Sequence, residues 1–343
     1  MLCLGIETSC DETAAAVVRD GREISSNIIA TQLDLHAEYG GVVPELACRR
    51  HGQLIDRIVE RALKEGGVSL DDVGLVSVVQ GPGLIGALLI GVNFAKALAW
   101  ARGLPVVPVN HVEAHVYSCF MSNPQMELPA IGLVASGGHT SLFLMRGLGE
   151  YRKLGETTDD AVGESFDKVA SLLGLPYMGG PHVEKLALQG DPNAIPFPRG
   201  LSKKKKSYDF SYSGLKTAVL YHVKGYGNKK RDPDTLSDQE RANVAASFQE
   251  AALEVLVRKS LRAAEEFGAR SIAIGGGVSA NLRLRTLFAE GATRLSIPVY
   301  FPEKRLCTDN AAMVAGLGHW LYAQDPGSAT YDFDAKASMA FLR

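Results

Sequence analysis

The chain has 343 residues, 46% of them hydrophobic and 22% charged, which is enough for one large or two ordinary domains with proper cores and too apolar for wholesale disorder. Its 36 Lys and Arg against 38 Asp and Glu leave a net charge of −2, so bulk charge does not predict nucleic-acid binding and any such surface must be local. The start, Met1 to Glu7, lacks a basic stretch, the longest apolar run, Leu84 to Val92, is short of the ~20 residues that cross a bilayer, and Cys3, Cys10, Cys48, Cys119 and Cys307 form no CxxC pair; the expectation is a cytoplasmic protein with no membrane segment, disulfide framework or Cys-type zinc site.

In chain order, Leu4-Gly5-Ile6 reads as a strand, Glu7 to Thr13 as a turn of small and polar residues, and Ala14 to Val18 as the returning strand. Val73 to Gln80 reads as a buried strand, followed by Gly81-Pro82-Gly83, a helix through Trp100, and a short strand from Pro105 to Val109. A second hairpin follows, with Leu133 to Ala135 going out and Ser141 to Met145 returning. Ile6 aligns with Leu133 and Thr13 with Thr140 without a gap. Either two hairpins resemble each other by chance, or the chain holds two related domains. Further on, Ala245 to Phe267 reads as a long amphipathic helix, Ser271 to Ile274 as a strand entering Gly275-Gly276-Gly277, and Asn310 to Ala323 as a helix. This alternation implies an α/β protein of mixed sheets covered by helices.

The metal candidate is His111-Val112-Glu113-Ala114-His115. Residues four apart share a helix face, so both imidazoles can reach one ion, with Asp309 as a carboxylate partner; the plainer reading is two surface histidines. Two His and one carboxylate with open positions suit a catalytic metal and are compatible with iron, zinc or manganese. Glu113 lies roughly 200° around the helix from His111, which argues against a zinc-protease mechanism.

The phosphate candidates are Ser136-Gly137-Gly138-His139-Thr140 and Gly275 to Asn281, the second read as opening a helix whose free amides and positive dipole end face a nucleotide; their glycines allow close backbone approach or merely make tight turns. Asp167 and Glu184 can accept hydrogen bonds from ribose hydroxyls or simply face water. The small-residue helix after Gly83 suits packing or a partner surface. Between Arg199 and Arg231 stand ten Lys or Arg and one acid, Asp209, interleaved with Tyr208, Phe210, Tyr212, Tyr221 and Tyr226. That pattern fits an RNA backbone with unstacked bases, or a solvated lysine loop.

Several segments together resemble the tRNA N6-adenosine threonylcarbamoyltransferase (TsaD) family, formerly described as O-sialoglycoprotein endopeptidases. They are Gly5 to Thr13, Asn110 to His115, Ser136 to Thr140, Gly163-Glu164-Ser165-Phe166-Asp167-Lys168, Gly179-Gly180-Pro181, Ser213-Gly214-Leu215-Lys216-Thr217, Gly275 to Asn281 and Cys307-Thr308-Asp309-Asn310. The resemblance implies two duplicated actin/hexokinase/heat-shock ATPase-like (ribonuclease H-like) domains around a central cleft, residues 1–130 and 131–343, with the C-terminal helix able to pack back on the first. It implies metal ligation by His111, His115 and Asp309, with Fe2+ favoured over Zn2+ or Mn2+. Substrate contacts would fall on Val134, Ala135, Ser136, Gly137, Gly138, Asp167, Gly180, Glu184 and Asn281, and Glu12 corresponds to an acidic active-site position. The implied reaction moves a threonylcarbamoyl group from threonylcarbamoyl-AMP to the adenosine beside the anticodon of tRNA. Expected partners are a TsaB-like paralogue and a TsaE-like ATPase, and Lys203, Lys204, Lys205 and Lys206 are candidate tRNA contacts. The alternatives on the same fold are an ATPase or kinase, or a non-catalytic scaffold.

Overall fold

Runs of Val, Ile and Ala that are apolar on both faces belong to central strands covered on both sides. The computed structural model describes residues 1–201, 206–226, 229–230, 232 and 235–339. It begins with a meander of β1 (Leu2–Glu7), β2 (Glu12–Arg19) and β3 (Glu23–Thr31), followed by α1 (Leu33–Ala37), α2 (Pro44–Glu65), β4 (Val73–Gly81), α3 (Ile85–Arg102), β5 (Val106–Asn110) and α4 (His111–Ser122). A second meander of β6 (Ala130–Ala135), β7 (Thr140–Gly147) and β8 (Glu150–Glu156) leads to α5 (Val162–Leu172), α6 (Gly179–Ala187) and α7 (Ser213–Lys224). After the two-residue strands β9 (Gly225–Tyr226) and β10 (Lys229–Lys230) come α8 (Asp238–Glu266), β11 (Ser271–Gly275), α9 (Leu282–Leu295), β12 (Val299–Tyr300) and α10 (Ala311–Gln324).

The two large sheets repeat one plan. The first has the order β3-β2-β1-β4-β5 and the second, read from its other end, β8-β7-β6-β11-β12. In both, the opening hairpin is antiparallel and the next two strands join in parallel. The registers coincide too: Ile6 lies opposite Ala15 and Leu133 opposite Leu142, the pairing that the sequence alignment of Ile6 with Leu133 requires. The likeness of the hairpins is therefore a duplication rather than chance.

The chain forms two compact units, one of Met1–Pro124 with Pro302–Arg343 and the other of Gln125–Phe301. The sequence-level boundary at 130/131 assigned residues 302–343 to the second domain and left α10 free to pack back. In the structure that whole segment clusters with the first unit, and the cause lies in α10. Residues Ala311 to Leu317 of this helix are buried all round, and a helix apolar on every side must be enclosed. It lies against β1 so closely that a Cβ on Gly5 would sit 2.3 Å from the carbonyl oxygen of Ala311.

In the second unit, Phe166 and Phe248 meet edge-on at 5.0 Å within a core shared by α5, α7, α8 and the sheet. Helix α8 starts seven residues before the expected Ala245. Ser237 and Glu240 cap it reciprocally, Ser237 Oγ accepting from the Glu240 amide at 3.2 Å and Glu240 Oε2 from the Ser237 amide at 2.9 Å. Among the described residues, α3 is the one helix long and apolar enough, by length and composition, to cross a membrane. It exposes Ile85, Leu89 and Trp100, while Ala87, Leu88, Ala95 and Ala99 are buried in the first unit.

Steric fit at β1 and open space on α2 predict opposite effects for two Gly→Ala changes. Gly5→Ala should destabilise by about 1–3 kcal/mol through overpacking against α10. Gly52→Ala, whose nearest neighbour would be 3.9 Å away on a helix, should stabilise by up to about 1 kcal/mol. Denaturant titration of the two variants checks both signs.

Candidate functional site

In the first unit, β5 ends at Asn110 and the chain turns directly into α4, whose first residue is His111. The Asn110 side chain accepts from the amides of Val112 at 2.9 Å and Glu113 at 3.2 Å, which fixes the helix start and hence the imidazole. One turn on, His115 projects from the same face. Helix α10 begins in the same way, Asn310 accepting from the Met313 amide at 3.1 Å, and this places Asp309 immediately before the cap.

The three candidates converge. Asp309 Oδ1 stands 3.0 Å from His115 Nε2 and 3.6 Å from His111 Nε2, and the two rings meet edge-on at 4.7 Å between centroids. The three ligand atoms all lie within 4.8 Å of one another, close enough to share one divalent ion. His115 is fully buried and His111 is 4% exposed, which removes the surface-histidine reading. Among the described residues these three are the group whose ligand atoms cluster for a metal, and Glu113 is outside it.

The surroundings are strongly acidic. Burial opposes the charge on His111, but Asp309 and Glu7 outweigh it and hold the imidazole up at about 9. Burial, then Asp309 and Asp11, push the Glu12 carboxyl well above its usual range. Burial, then the same acids, raise the Cys10 thiol as well. Sequence reasoning treated Glu7 and Ser9 as turn residues only. Their role is visible once β1 and α4 are side by side: Glu7 Oε2 lies 3.0 Å and Ser9 Oγ 3.2 Å from His111 Nδ1.

In the second unit, the turn between β6 and β7 is closed by the Ser136 amide donating to His139 O at 2.8 Å and the His139 amide donating to Ser136 Oγ at 3.0 Å. Gly137 and Gly138 at its tip face open space, whereas Val134 and Ala135 are fully buried and offer only their backbone. Asp167 Oδ1 accepts from the Gly179 amide at 2.8 Å and so sets the start of α6, where Gly180 is also open. Glu184 Oε1 accepts from the Leu282 amide at 2.6 Å. Asn281 caps α9 through the Leu284 amide and donates to Gln249 Oε1, each at 2.9 Å. These acids and amides therefore tie α5, α6, α8 and α9 together, a structural duty the sequence did not reveal.

Two sequence expectations need correction. Gly275-Gly276-Gly277 does not open an α-helix directly. Residues Gly277–Ala280 form a short 3-10 turn, α9 starts only at Leu282, and its first donors are taken by Glu184 and Asn281. Gly276 has φ +87°, and a Cβ there would lie 2.4 Å from Ala135 O, so this glycine serves close packing on β6. Nor do three of the five aromatics of the basic window await bases. Tyr208, Phe210 and Tyr212 alternate along an extended segment whose inward face is core, and all three are buried. Tyr221 and Tyr226 are exposed and pack on each other at 4.7 Å. Arg199 pairs with Glu254 and Lys216 with Asp160, Lys206 is exposed, and Lys203, Lys204 and Lys205 lie outside the described residues.

A duplicated mixed sheet with helices defines an actin/hexokinase-like protein, and solved structures agree. HypF from T. kodakarensis superposes with TM-score 0.63 at 14% identity, over 96% of this chain and 48% of that one. Component A of the Acidaminococcus fermentans (R)-2-hydroxyglutaryl-CoA dehydratase gives TM-score 0.55 at 13% identity, over 94% and 99%. The tRNA N6-adenosine threonylcarbamoyltransferase model (TsaD) matches residues 23–316. A relative of that name from Protochlamydia amoebophila (strain UWE25) is 50% identical over 335 residues, covering 97% of this chain and 96% of its own. The chain belongs to the tRNA N6-adenosine threonylcarbamoyltransferase family.

Proton and metal compete at His111. Its raised pKa contributes stability to the metal-free protein that is fully present below 6.5 and is lost as pH rises through about 9. A bound ion must displace that proton, so Zn2+ affinity should strengthen about tenfold per pH unit from pH 6 to 8, with release of about one proton. Calorimetry in buffers of different ionisation enthalpy measures both quantities, and a pH-independent affinity would contradict the assignment.

Proposed function

We propose that the chain transfers a threonylcarbamoyl group from threonylcarbamoyl-AMP to N6 of the adenosine next to the anticodon, in tRNAs reading A-starting codons, with release of AMP. The observation that carries this reading is the convergence of His111, His115 and Asp309 in a chain of this family. N6 forms a bond to the carbamoyl carbon, the bond from that carbon to the phosphate oxygen breaks, and the N6 proton goes to a base. An exocyclic adenine amine is a weak nucleophile, so the donor must be polarised and its leaving phosphate steadied.

His111, His115 and Asp309 would hold the ion, Fe2+ in our reading, which supplies Lewis-acid polarisation of the donor. The open backbone at Gly137 and Gly138 admits a phosphate, as does Gly180 at the start of α6. Val134, Ala135 and Ser136 support that turn, and Asp167, Glu184 and Asn281 hold the adenosine part. Glu12, whose raised pKa makes it a stronger base when ionised, takes the N6 proton. The exposed Ile85, Leu89 and Trp100 on α3 support a TsaB-like paralogue as partner, beside a TsaE-like ATPase, in the cytoplasm. For the tRNA, Lys203, Lys204, Lys205 and Lys206 supply phosphate contacts; the buried aromatics leave the binding there electrostatic.

Incubation with tRNA and threonylcarbamoyl-AMP, with partner proteins present and nucleosides read by mass spectrometry, tests the reaction. The His111→Ala, His115→Ala double variant should lose its ion and all transfer while keeping its circular dichroism. Unchanged metal content would remove the site.

Gly137→Val should weaken AMP binding at least about tenfold, roughly 1.4 kcal/mol, while its melting temperature stays near that of the parent, because the added side chain meets only open space in the free protein. Equal AMP affinity would put the phosphate elsewhere.

A further inference from the structure

Glu7 closes β1 with a carboxylate that is fully buried and held at both oxygens. Oε1 accepts from the Ser9 amide at 2.5 Å, and Oε2 lies 3.0 Å from His111 Nδ1. The side chain has little freedom to turn away, because a buried carboxylate that releases either donor pays the full desolvation cost. A carboxylate only accepts hydrogen bonds, so the imidazole nitrogen facing it must carry the proton. The proton that an ion displaces is therefore the one on Nε2, which faces Asp309, and its loss leaves the Nε2 lone pair for the ion. The second histidine differs: His115 Nδ1 is buried and meets no hydrogen-bond partner among the described residues. Only one of the two imidazoles is thus oriented from behind by an acid.

We infer that Glu7 is a positioning residue of the ion site: by accepting the Nδ1–H of His111 it selects the tautomer whose Nε2 binds the ion. This rests on the reading of His111, His115 and Asp309 as ligands. Ser9 completes the arrangement. Its Oγ is 3.2 Å from the same Nδ1, and its carbonyl takes the Leu84 amide at 2.8 Å, so the loop before α3 holds the Ser9 backbone in place. A carboxylate behind a ligating histidine raises its basicity and fixes its plane, and losing such a partner costs about 10–100-fold in metal affinity.

The variant to make is Glu7→Gln. The amide keeps shape and volume and still offers an oxygen to the Ser9 amide, but it then turns its NH2 toward His111. That donor favours the opposite tautomer, with the proton on Nε2 where the ion should bind. Zn2+ is the probe, in competition with a chromophoric chelator, on full-length parent and variant. The expected result is a Zn2+ affinity about 10–100-fold weaker in Glu7→Gln and a smaller Zn2+-induced rise in melting temperature. A purely structural role for Glu7 would lower the metal-free melting temperature and leave the Zn2+ affinity alone, and that outcome overturns the proposal. Nitrogen-15 NMR of the Zn2+-loaded parent decides independently of whether the variant folds: His111 should show a protonated Nδ1 and a metal-bound Nε2, and Nδ1 ligation would refute the inference. A parent that takes up no Zn2+ would instead remove the ion site itself.

Discussion

The approach of α10 to β1 is the constraint on which the first unit turns. Gly5 has no side chain, so the backbone of Ala311 lies directly over the strand, and the start of α10 is carried to the ends of β1 and β5. Asp309 arrives opposite His111 and His115 because of that contact, although 194 residues separate it from His115. Two asparagine caps, Asn110 and Asn310, then fix where each helix begins. The candidate ion site is in this sense a product of helix packing, with both histidines on α4 and Asp309 just ahead of the α10 cap.

Charge balance gives the same site its chemistry. Glu7, Asp11, Glu12 and Asp309 crowd around two imidazoles, and without an ion the excess negative charge is relieved by protons: His111 stays charged to about 9 and Glu12 rises well above a normal carboxyl. A divalent cation replaces those protons with a fixed charge. It would thereby return Glu12 toward ionisation, which a proton acceptor for a weakly nucleophilic amine needs.

Much of this was legible in the chain because it lies in local patterns. The two hairpins carry the same small-residue turn, so their alignment anticipated a common register, and the i, i+4 histidines anticipated one helix face. Most of what escaped was set by tertiary contact. The basic window looked like a base-stacking surface because alternation of Tyr208, Phe210 and Tyr212 reads equally as an inward-facing strand edge, and only the core behind it decides. The triple glycine looked like a helix entry, whereas Gly276 answers to Ala135 on a neighbouring strand. Helix α8 was expected to start late because its first turns are polar, while the Ser237–Glu240 pair that defines its start is a local signal. Glu7 lacks any local signal of its function, since its partner is 104 positions away.

The second unit is one unbroken stretch, Gln125–Phe301, but the first is assembled from both ends of the chain. On a ribosome the second unit can therefore complete itself while the first still lacks a helix and an acid. Until Pro302 and the residues after it emerge, β1 has its glycine groove uncovered and His111 and His115 have no carboxylate opposite. On the proposed ion-binding reading, metal capture is a late event in biogenesis, reserved for chains translated past Asp309, and a nascent chain arrested within the second unit would not sequester an ion at this centre.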